Sequence, residues 1–373
     1  MQSIFSNALS KAVSNHIKLS ASRRETLAWL VLLMMRLGTV CLWRLAAHVD
    51  CAAETASVRR RIYRFFQFVR LDSAAIARIV VDLLGLAGKP WVLAIDRTNW
   101  EFGRANINFL MLSVEWNGTG VPLLWTLLPA AGNSDTKTRT NLLDRLGETF
   151  PQMKIAALTG DREFIGKDWM AYLHARKIPF YLRLRENQYV MRDGYETWSI
   201  ARIAQGLKAG ERLILKGLCR LGQDDAADTP GLRIVILKLK TGELLAIATS
   251  ASPRHALARY RARWRIESLF GNLKTKGFDL EATHLADPEK LSSLMGLLAI
   301  AMALSVKTGR AAERLAPVPV KKHGRRAASL FANGLGTLRK ILARASQNQV
   351  LVFLENLFSP KSALKSLKHM AFR

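Results

Sequence analysis

Cysteine is scarce in this sequence: Cys41, Cys51 and Cys219 are the only three in 373 residues, and none stands in a Cys-x-x-Cys pair. That excludes a disulfide framework and a zinc knuckle, and it fits a reducing compartment. No uninterrupted apolar stretch reaches the roughly 20 residues that a membrane span needs. The longest runs, Leu27 to Met35 and Leu291 to Val306, are expected to be buried helices, and no membrane partner is expected. The opening MQSIFSNALSKAVSNH lacks the charged start and apolar core of a secretory signal. The seven histidines form no HExxH or HxxxH pair, so His255 and His284 are read as surface or DNA-proximal residues rather than metal ligands. Internal repeats and low-complexity tracts are also missing.

Acidic residues are the other shortage. Against 56 Lys and Arg there are 29 Asp and Glu, a formal net charge of +27. From Lys307 onward the imbalance is 14 to 2. A basic excess of this size calls for a polyanionic partner, and nucleic acid is the one it fits best. Hydrophobic residues still make up 49% of the chain, enough for a sizeable core.

Residues 1–87 read as a helical, basic region. Its segment VRRRIYRFFQFV (58–69) mixes arginines with aromatics, and DNA binding is expected of it. Gly88-Lys89-Pro90 closes the segment. Then the pattern changes. Trp91 to Ile95 is a short apolar run ending in Asp96, and Ile107 to Trp116 and Val121 to Leu128 are strand-like runs joined by Asn117-Gly118-Thr119-Gly120, a hairpin signal. Helical spacing over Thr138 to Phe150 precedes the apolar run Ile155 to Leu158, which leads into Thr159-Gly160-Asp161. A helix over Lys167 to Lys177 and a strand over Phe180 to Leu184 follow. The order β-β-β-α-β-α-β, with acids just beyond its first and fourth strands, matches an α/β, ribonuclease-H-like core. Residues 88–186 are expected to be its first part and 251–310 the rest. Between them 187–250 reads as a β-rich insertion, whose Asp224, Asp225 and Asp228 are expected in a solvated turn. Residues 311–373 are expected to be a basic, helical C-terminal region for DNA binding or oligomerisation.

The segment from Tyr260 to Lys274 is the most informative. On a helix advancing about 100° per residue, Tyr260, Arg263, Glu267 and Lys274 fall in a stripe about 60° wide, opposite Ala262, Ile266, Leu269, Phe270 and Leu273. Gly277 offers the helix a stop. A carboxylate flanked by cations suits metal-assisted chemistry on a phosphate chain. The same spacing also permits a plain i,i+4 salt bridge from Arg263 to Glu267 on a solvated face.

The run Tyr260, two residues, Arg263, three residues, Glu267, six residues, Lys274 resembles the Y-R-E-K motif of the insertion-sequence-4 family of bacterial DDE transposases. Asp96-Arg97-Thr98-Asn99-Trp100 and Thr159-Gly160-Asp161-Arg162-Glu163-Phe164 resemble the segments around that family's first two catalytic acids. Gly324 to Phe331 also resembles the family, so the likeness covers roughly residues 88–335. The resemblance implies catalysis by Asp96, Asp161 and Glu267 with two divalent metal ions, Mg²⁺ or alternatively Mn²⁺. Asp96 would bridge the pair, and Asp161 and Glu267 would each hold one ion. It further implies that Tyr260, Arg263 and Lys274 grip DNA phosphates and that Trp264 wedges or stacks on a displaced base. The implied partners are double-stranded DNA with terminal inverted repeats, target DNA and a second copy of the chain in a synaptic complex, in the bacterial cytoplasm at the nucleoid. Relatives that pass through a hairpinned DNA end carry a further tryptophan late in the insertion. Here Leu232 to Lys240 and Leu244 to Thr249 have none, and Trp198 lies far earlier. The competing readings are a structure-selective nuclease on the same core and a DNA-end-binding protein without catalysis.

Overall fold

The computed structural model describes residues 9–358 apart from 12, 104, 130, 193–195, 223–228, 323, 345 and 346. The Asp224, Asp225 and Asp228 turn and residues 359–373 of the basic C-terminal region lie outside the described residues. The N-terminal part of the fold holds the helices α1 (Ala21–Leu37), α2 (Leu42–Ala47), α3 (Thr55–Phe68) and α4 (Ser73–Leu84). The apolar run of α1 is wholly buried from Thr26 to Met35. In α3 the aliphatic and phenylalanine positions Val58, Ile62, Phe65 and Phe66 face inward, which turns most of the arginines to solvent. Asp72 caps α4, its carboxylate accepting from the Ala74 and Ala75 amides at 3.0 and 3.2 Å.

A mixed α/β arrangement follows: β1 (Pro90–Phe102), β2 (Ala105–Trp116), β3 (Thr119–Leu127), α5 (Thr136–Thr149), β4 (Lys154–Gly160), α6 (Lys167–Ala175) and β5 (Phe180–Leu184). The element order read from periodicity is the one observed. Asn117 and Gly118 both have positive φ, 48° and 81°, the twist a two-residue hairpin turn demands, and Trp116 pairs with Thr119 across it. β1 runs antiparallel to β2, while β1–β4 and β4–β5 are parallel.

Six short strands and one helical turn occupy the next stretch: β6 (Tyr189–Arg192), β7 (Trp198–Ser199), α7 (Ile200–Ile203), β8 (Arg212–Ile214), β9 (Cys219–Leu221), β10 (Arg233–Lys238) and β11 (Leu244–Thr249). They do not make one sheet of their own. β11, β10 and β8 extend the main sheet, whose order is β3-β2-β1-β4-β5-β11-β10-β8, and only β7-β6-β9 form a separate three-stranded sheet. Apolar Ile234, Ile236, Ala246 and Ala248 bury against the same core as the strands before them, which accounts for the continuation.

The chain then enters α8 (Ala256–Tyr260), a 3₁₀ turn over Arg261–Arg263, α9 (Trp264–Gly271) and a π turn over Asn272–Lys276. Three long helices close the described fold: α10 (Pro288–Leu315), α11 (Leu330–Arg344) and α12 (Gln347–Phe358). Among the described residues α10 alone is long and apolar enough to cross a membrane, but 89% of its apolar window is buried inside the fold. It is the central helix of the core, packed on α1, α4, α11 and β3.

The α10–α11 crossing depends on two glycines. A Cβ at Gly334 would lie 1.8 Å from the Ser305 carbonyl oxygen, and one at Gly309 would lie 2.0 Å from the Leu330 carbonyl oxygen. These are backbone obstacles, which no side-chain rotation relieves. Gly334→Ala is therefore expected to destabilise the protein by about 1–3 kcal/mol or more in urea unfolding. Gly336→Ala, on the same helix with open space around it, should be neutral or stabilising by up to about 1 kcal/mol. Equal effects of the two substitutions would contradict the close crossing.

Candidate active site

Two of the expected acids are placed by strand register. Ile95 of β1 lies opposite Gly160 of β4 in the parallel ladder, so Asp96 and Asp161 leave neighbouring strands at the same level. β1 continues to Phe102 against β2 while β4 stops at Gly160, and the chain turns away there. The turn is closed by Asp161 itself, whose Oδ1 accepts the Glu163 amide at 2.9 Å. Asp96 Oδ1 accepts the Arg97 amide at 2.8 Å.

Glu267 arrives from α9. That helix rests closely on β3, where a Cβ at Gly120 would lie 2.7 Å from the Arg265 carbonyl oxygen. Arg265 reinforces the seat with an ion pair to Glu115 at 2.6 Å. The apolar positions expected to face the core do so: Ala262, Ile266, Leu269 and Leu273 are buried, and Phe270 is partly so. Glu267 is exposed on the other side.

One guanidinium joins the first and last acids. Arg263 Nη2 lies 2.7 Å from Glu267 Oε1, and its Nη1 lies 3.7 Å from Asp96 Oδ2, with the arginine side chain only 7% exposed. The i,i+4 salt bridge allowed by the spacing is thus formed, and it extends to a carboxylate 167 positions away from Arg263. The Asp96 carboxyl is pushed up to about 7, first by burial and then by the charges of Asp161 and Glu267; the Arg97 amide and Arg263 oppose the rise. Asp161 and Glu267 thus both act on the carboxyl of Asp96. Among the described residues, no three His, Cys, Asp or Glu side chains converge tightly enough to ligate a single ion in this conformation. The donor chemistry nevertheless fits a hard divalent cation, because every oxygen the three acids offer is a carboxylate oxygen.

The other stripe residues depart from the expected line. Tyr260 is 2% exposed, among Ala157, Tyr181, Val235, Ile247 and Ala256. Its hydroxyl has no hydrogen-bond partner among the described residues, and burial pushes it up to about 12. In this conformation the ring is turned into the core. The reason is the 3₁₀ turn at Arg261–Arg263: three residues at about 120° each, rather than 100°, rotate Tyr260 by roughly 60° relative to Glu267. Arg263 is likewise buried and engaged by acids. Lys274 holds the π turn to β1 through the Asn99 carbonyl at 2.6 Å and pairs with Glu281 at 3.1 Å. Trp264 is 62% exposed beside Arg263, the placement a stacking role requires.

A second buried charge cluster was not assigned any role from the sequence. Glu163 accepts from Arg97 Nε at 2.6 Å and from the Ser134 amide and hydroxyl at 3.0 and 2.9 Å. The guanidinium of Arg139 lies 3.8 Å away and donates to the Ser134 hydroxyl. Arg97 directly follows Asp96 within β1 and Glu163 stands two residues after Asp161, so this pair staples the Asp161 turn to the strand that carries Asp96. Glu163→Ala would leave Arg97 and Arg139 buried without their acid, and a loss of about 3–5 kcal/mol in denaturant unfolding is expected. Glu163→Gln, which keeps one acceptor oxygen for Ser134 and Arg97, should lose less. An alanine variant as stable as the parent would show that the cluster does not hold the turn.

The model of the transposase DDE domain family matches residues 87–304, more than half of the chain. No curated protein matches the sequence. Among solved structures, the cryo-EM structure of a piggyBac transposase synaptic complex with hairpin DNA is similar at a TM-score of 0.43 and 11% identity, covering 100% of this chain and 82% of that one. That likeness is too distant to bear on the site. The matched span 87–304 holds Asp96, Asp161, Glu267 and the sheet that positions them, and the chain belongs to the transposase DDE domain family: it is a DDE transposase.

Proposed function

We propose that this transposase cuts DNA at the ends of an insertion sequence and joins the freed ends to target DNA, using Asp96, Asp161 and Glu267 on a ribonuclease-H-like core. The observation that carries the reading is the arrangement of the acids: aligned parallel strands set Asp96 beside Asp161, and Arg263 ties Glu267 to Asp96. Three antiparallel strands followed by two parallel ones, with α5 and α6 between, support the core assignment. The Tyr260–Arg263–Glu267–Lys274 spacing supports membership of the insertion-sequence-4 branch. Residues 88–186 and 251–310 would form the catalytic domain, 187–250 its β-rich insertion, and 1–87 and 311–373 the flanking DNA-binding or oligomerisation regions.

Asp96, Asp161 and Glu267 would hold two divalent ions, Mg²⁺ or Mn²⁺. When bound, such ions polarise the phosphate and neutralise the departing oxygen. The chain's own residues do the positioning. Arg263 holds Glu267 toward Asp96, and the Arg97–Glu163 staple fixes the spacing of the two aspartates. Trp264 offers an exposed ring for an unpaired base, and Lys274 places a positive charge beside β1. In cleavage a water oxygen bonds to phosphorus as the P–O3′ bond breaks, leaving a 3′-hydroxyl and a 5′-phosphate. In joining, that 3′-oxygen attacks a target phosphodiester and displaces the target's own 3′-oxygen. The partners are duplex DNA with terminal inverted repeats, target DNA and a second copy of the chain, in a bacterial cytoplasm at the nucleoid. A joined product separates this reading from a nuclease that only hydrolyses.

Glu267→Gln is expected to retain binding to element-end DNA while abolishing nicking, because it keeps the shape and removes the ligand charge. Gel-shift affinity and nicking on one substrate check this; substantial nicking by the variant would remove Glu267 from the site. Arg263→Ala should lower cleavage while leaving the salt dependence of DNA binding unchanged, since the buried guanidinium already faces acids. A salt slope reduced by about one phosphate contact would restore Arg263 to the DNA surface.

A further inference from the structure

The solvent face of α3 separates two clefts of different chemistry. Toward the start of α1 lies a cleft of about 600 Å³ whose wall includes Arg23, Arg60 and Arg64 with the hydroxyl residues Ser20, Ser22 and Ser57. No acid lines it among the described residues. Arg61, at its edge, is already committed to Glu25 at 2.6 Å and to the face of Trp29. Toward the start of α10 lies a second cleft of about 510 Å³, walled by Tyr63, Phe66, Phe68, His284 and Lys290. Its one acid, Asp287, caps α10 by accepting the Lys290 amide at 2.9 Å. Arg64 and Phe68, one helical turn apart, line both clefts and form the ridge between them.

The exposures are unusual for such side chains. Tyr63 is 50% and Phe68 60% exposed, although the other aromatics of α3, Phe65 and Phe66, are buried. Rings left in water beside cations are suited to a planar, electron-rich partner. Guanidinium groups gathered with hydroxyls and without an acid are suited to phosphodiester oxygens. A duplex would satisfy only the second requirement, because its base faces are covered by their neighbours. An apolar peptide would satisfy only the first. An unpaired DNA strand offers phosphate and base face together, one repeat apart along the chain, as a ridge with Arg64 and Phe68 about 6 Å apart along the helix axis demands.

We propose that α3 is a holding site for unpaired DNA, with bases stacked on Phe68 and Tyr63 and the adjoining phosphates in the Arg23–Arg60–Arg64 cleft. This rests on DNA being the enzyme's substrate and adds a single-strand site to it. The site communicates with the catalytic strand. Phe102, the last residue of β1, packs edge-on against His284 with ring centroids 5.3 Å apart, and Asp96 stands six positions back on the same strand, roughly 20 Å away. A strand opened near the acids can therefore be held at the far end of β1.

The full chain is tested by fluorescence anisotropy with a labelled oligothymidine and, separately, with a blunt duplex of equal length. The wild type should bind both. The double substitution Tyr63→Ala, Phe68→Ala should weaken oligothymidine binding by about tenfold or more and duplex binding by less than about twofold. Arg60→Ala, Arg64→Ala should weaken both and reduce the salt slope for the single strand by about 1.4, two contacts' worth. Since all four side chains are exposed, the melting temperature should not change, and this is measured on each variant. Failure of the wild type to bind oligothymidine would overturn the proposal, as would an aromatic variant that binds it normally or loses duplex equally. A variant altered only in its oligomeric state would assign the cleft to a second copy of the chain instead, which also overturns the proposal. Wild-type duplex binding and nicking, scored in the same series, report on the transposase reading independently.

Discussion

Like charges brought together in a partly buried site repel, and the arrangement around Asp96 reflects that constraint. Asp96 lies in one strand, Asp161 follows its parallel neighbour and Glu267 comes from a helix far away in sequence, and Asp161 and Glu267 each raise the cost of charging Asp96. Arg263 offsets part of that cost by lying against Asp96 and Glu267 at once. The Asp96 carboxyl is nevertheless pushed up to about 7, first by burial and then by its acidic neighbours.

The rest of the fold keeps the acids from drifting apart. Register between β1 and β4 sets one pair, and the largely covered Arg97–Glu163 staple holds the Asp161 turn to β1. The helix bearing Glu267 is seated on β3 through Gly120, whose missing side chain allows backbone to approach backbone. Behind the sheet, α10 supplies a buried apolar column against which the N-terminal helices and β3 pack, so displacement of the helices is resisted by the same core that holds the sheet.

Much of this was legible from local pattern. The strand before Asp96, the Asn117-Gly118 hairpin, the run ending at Asp161 and the buried faces of α9 and α10 all follow from periodicity and turn chemistry, which act over a few residues. What escaped depends on contacts between distant segments. Nothing in residues 212–249 announces that β8, β10 and β11 would join the main sheet, since pairing is settled by which edge is open. A uniform helix from Tyr260 to Lys274 places Tyr260 beside Glu267, and only the 3₁₀ turn, imposed by packing against Tyr181 and Val235, turns it inward. Glu163 carried no visible role because its partners Arg97, Ser134 and Arg139 are brought to it by the fold.

The claim that these carboxylates form one cation-dependent catalytic site is tested most directly by strand cleavage of a duplex carrying the element's terminal repeat. Purified full-length protein is assayed in chelator and again after addition of Mg²⁺. The account predicts no cleavage in chelator and restored cleavage with Mg²⁺; robust cleavage in chelator would contradict it.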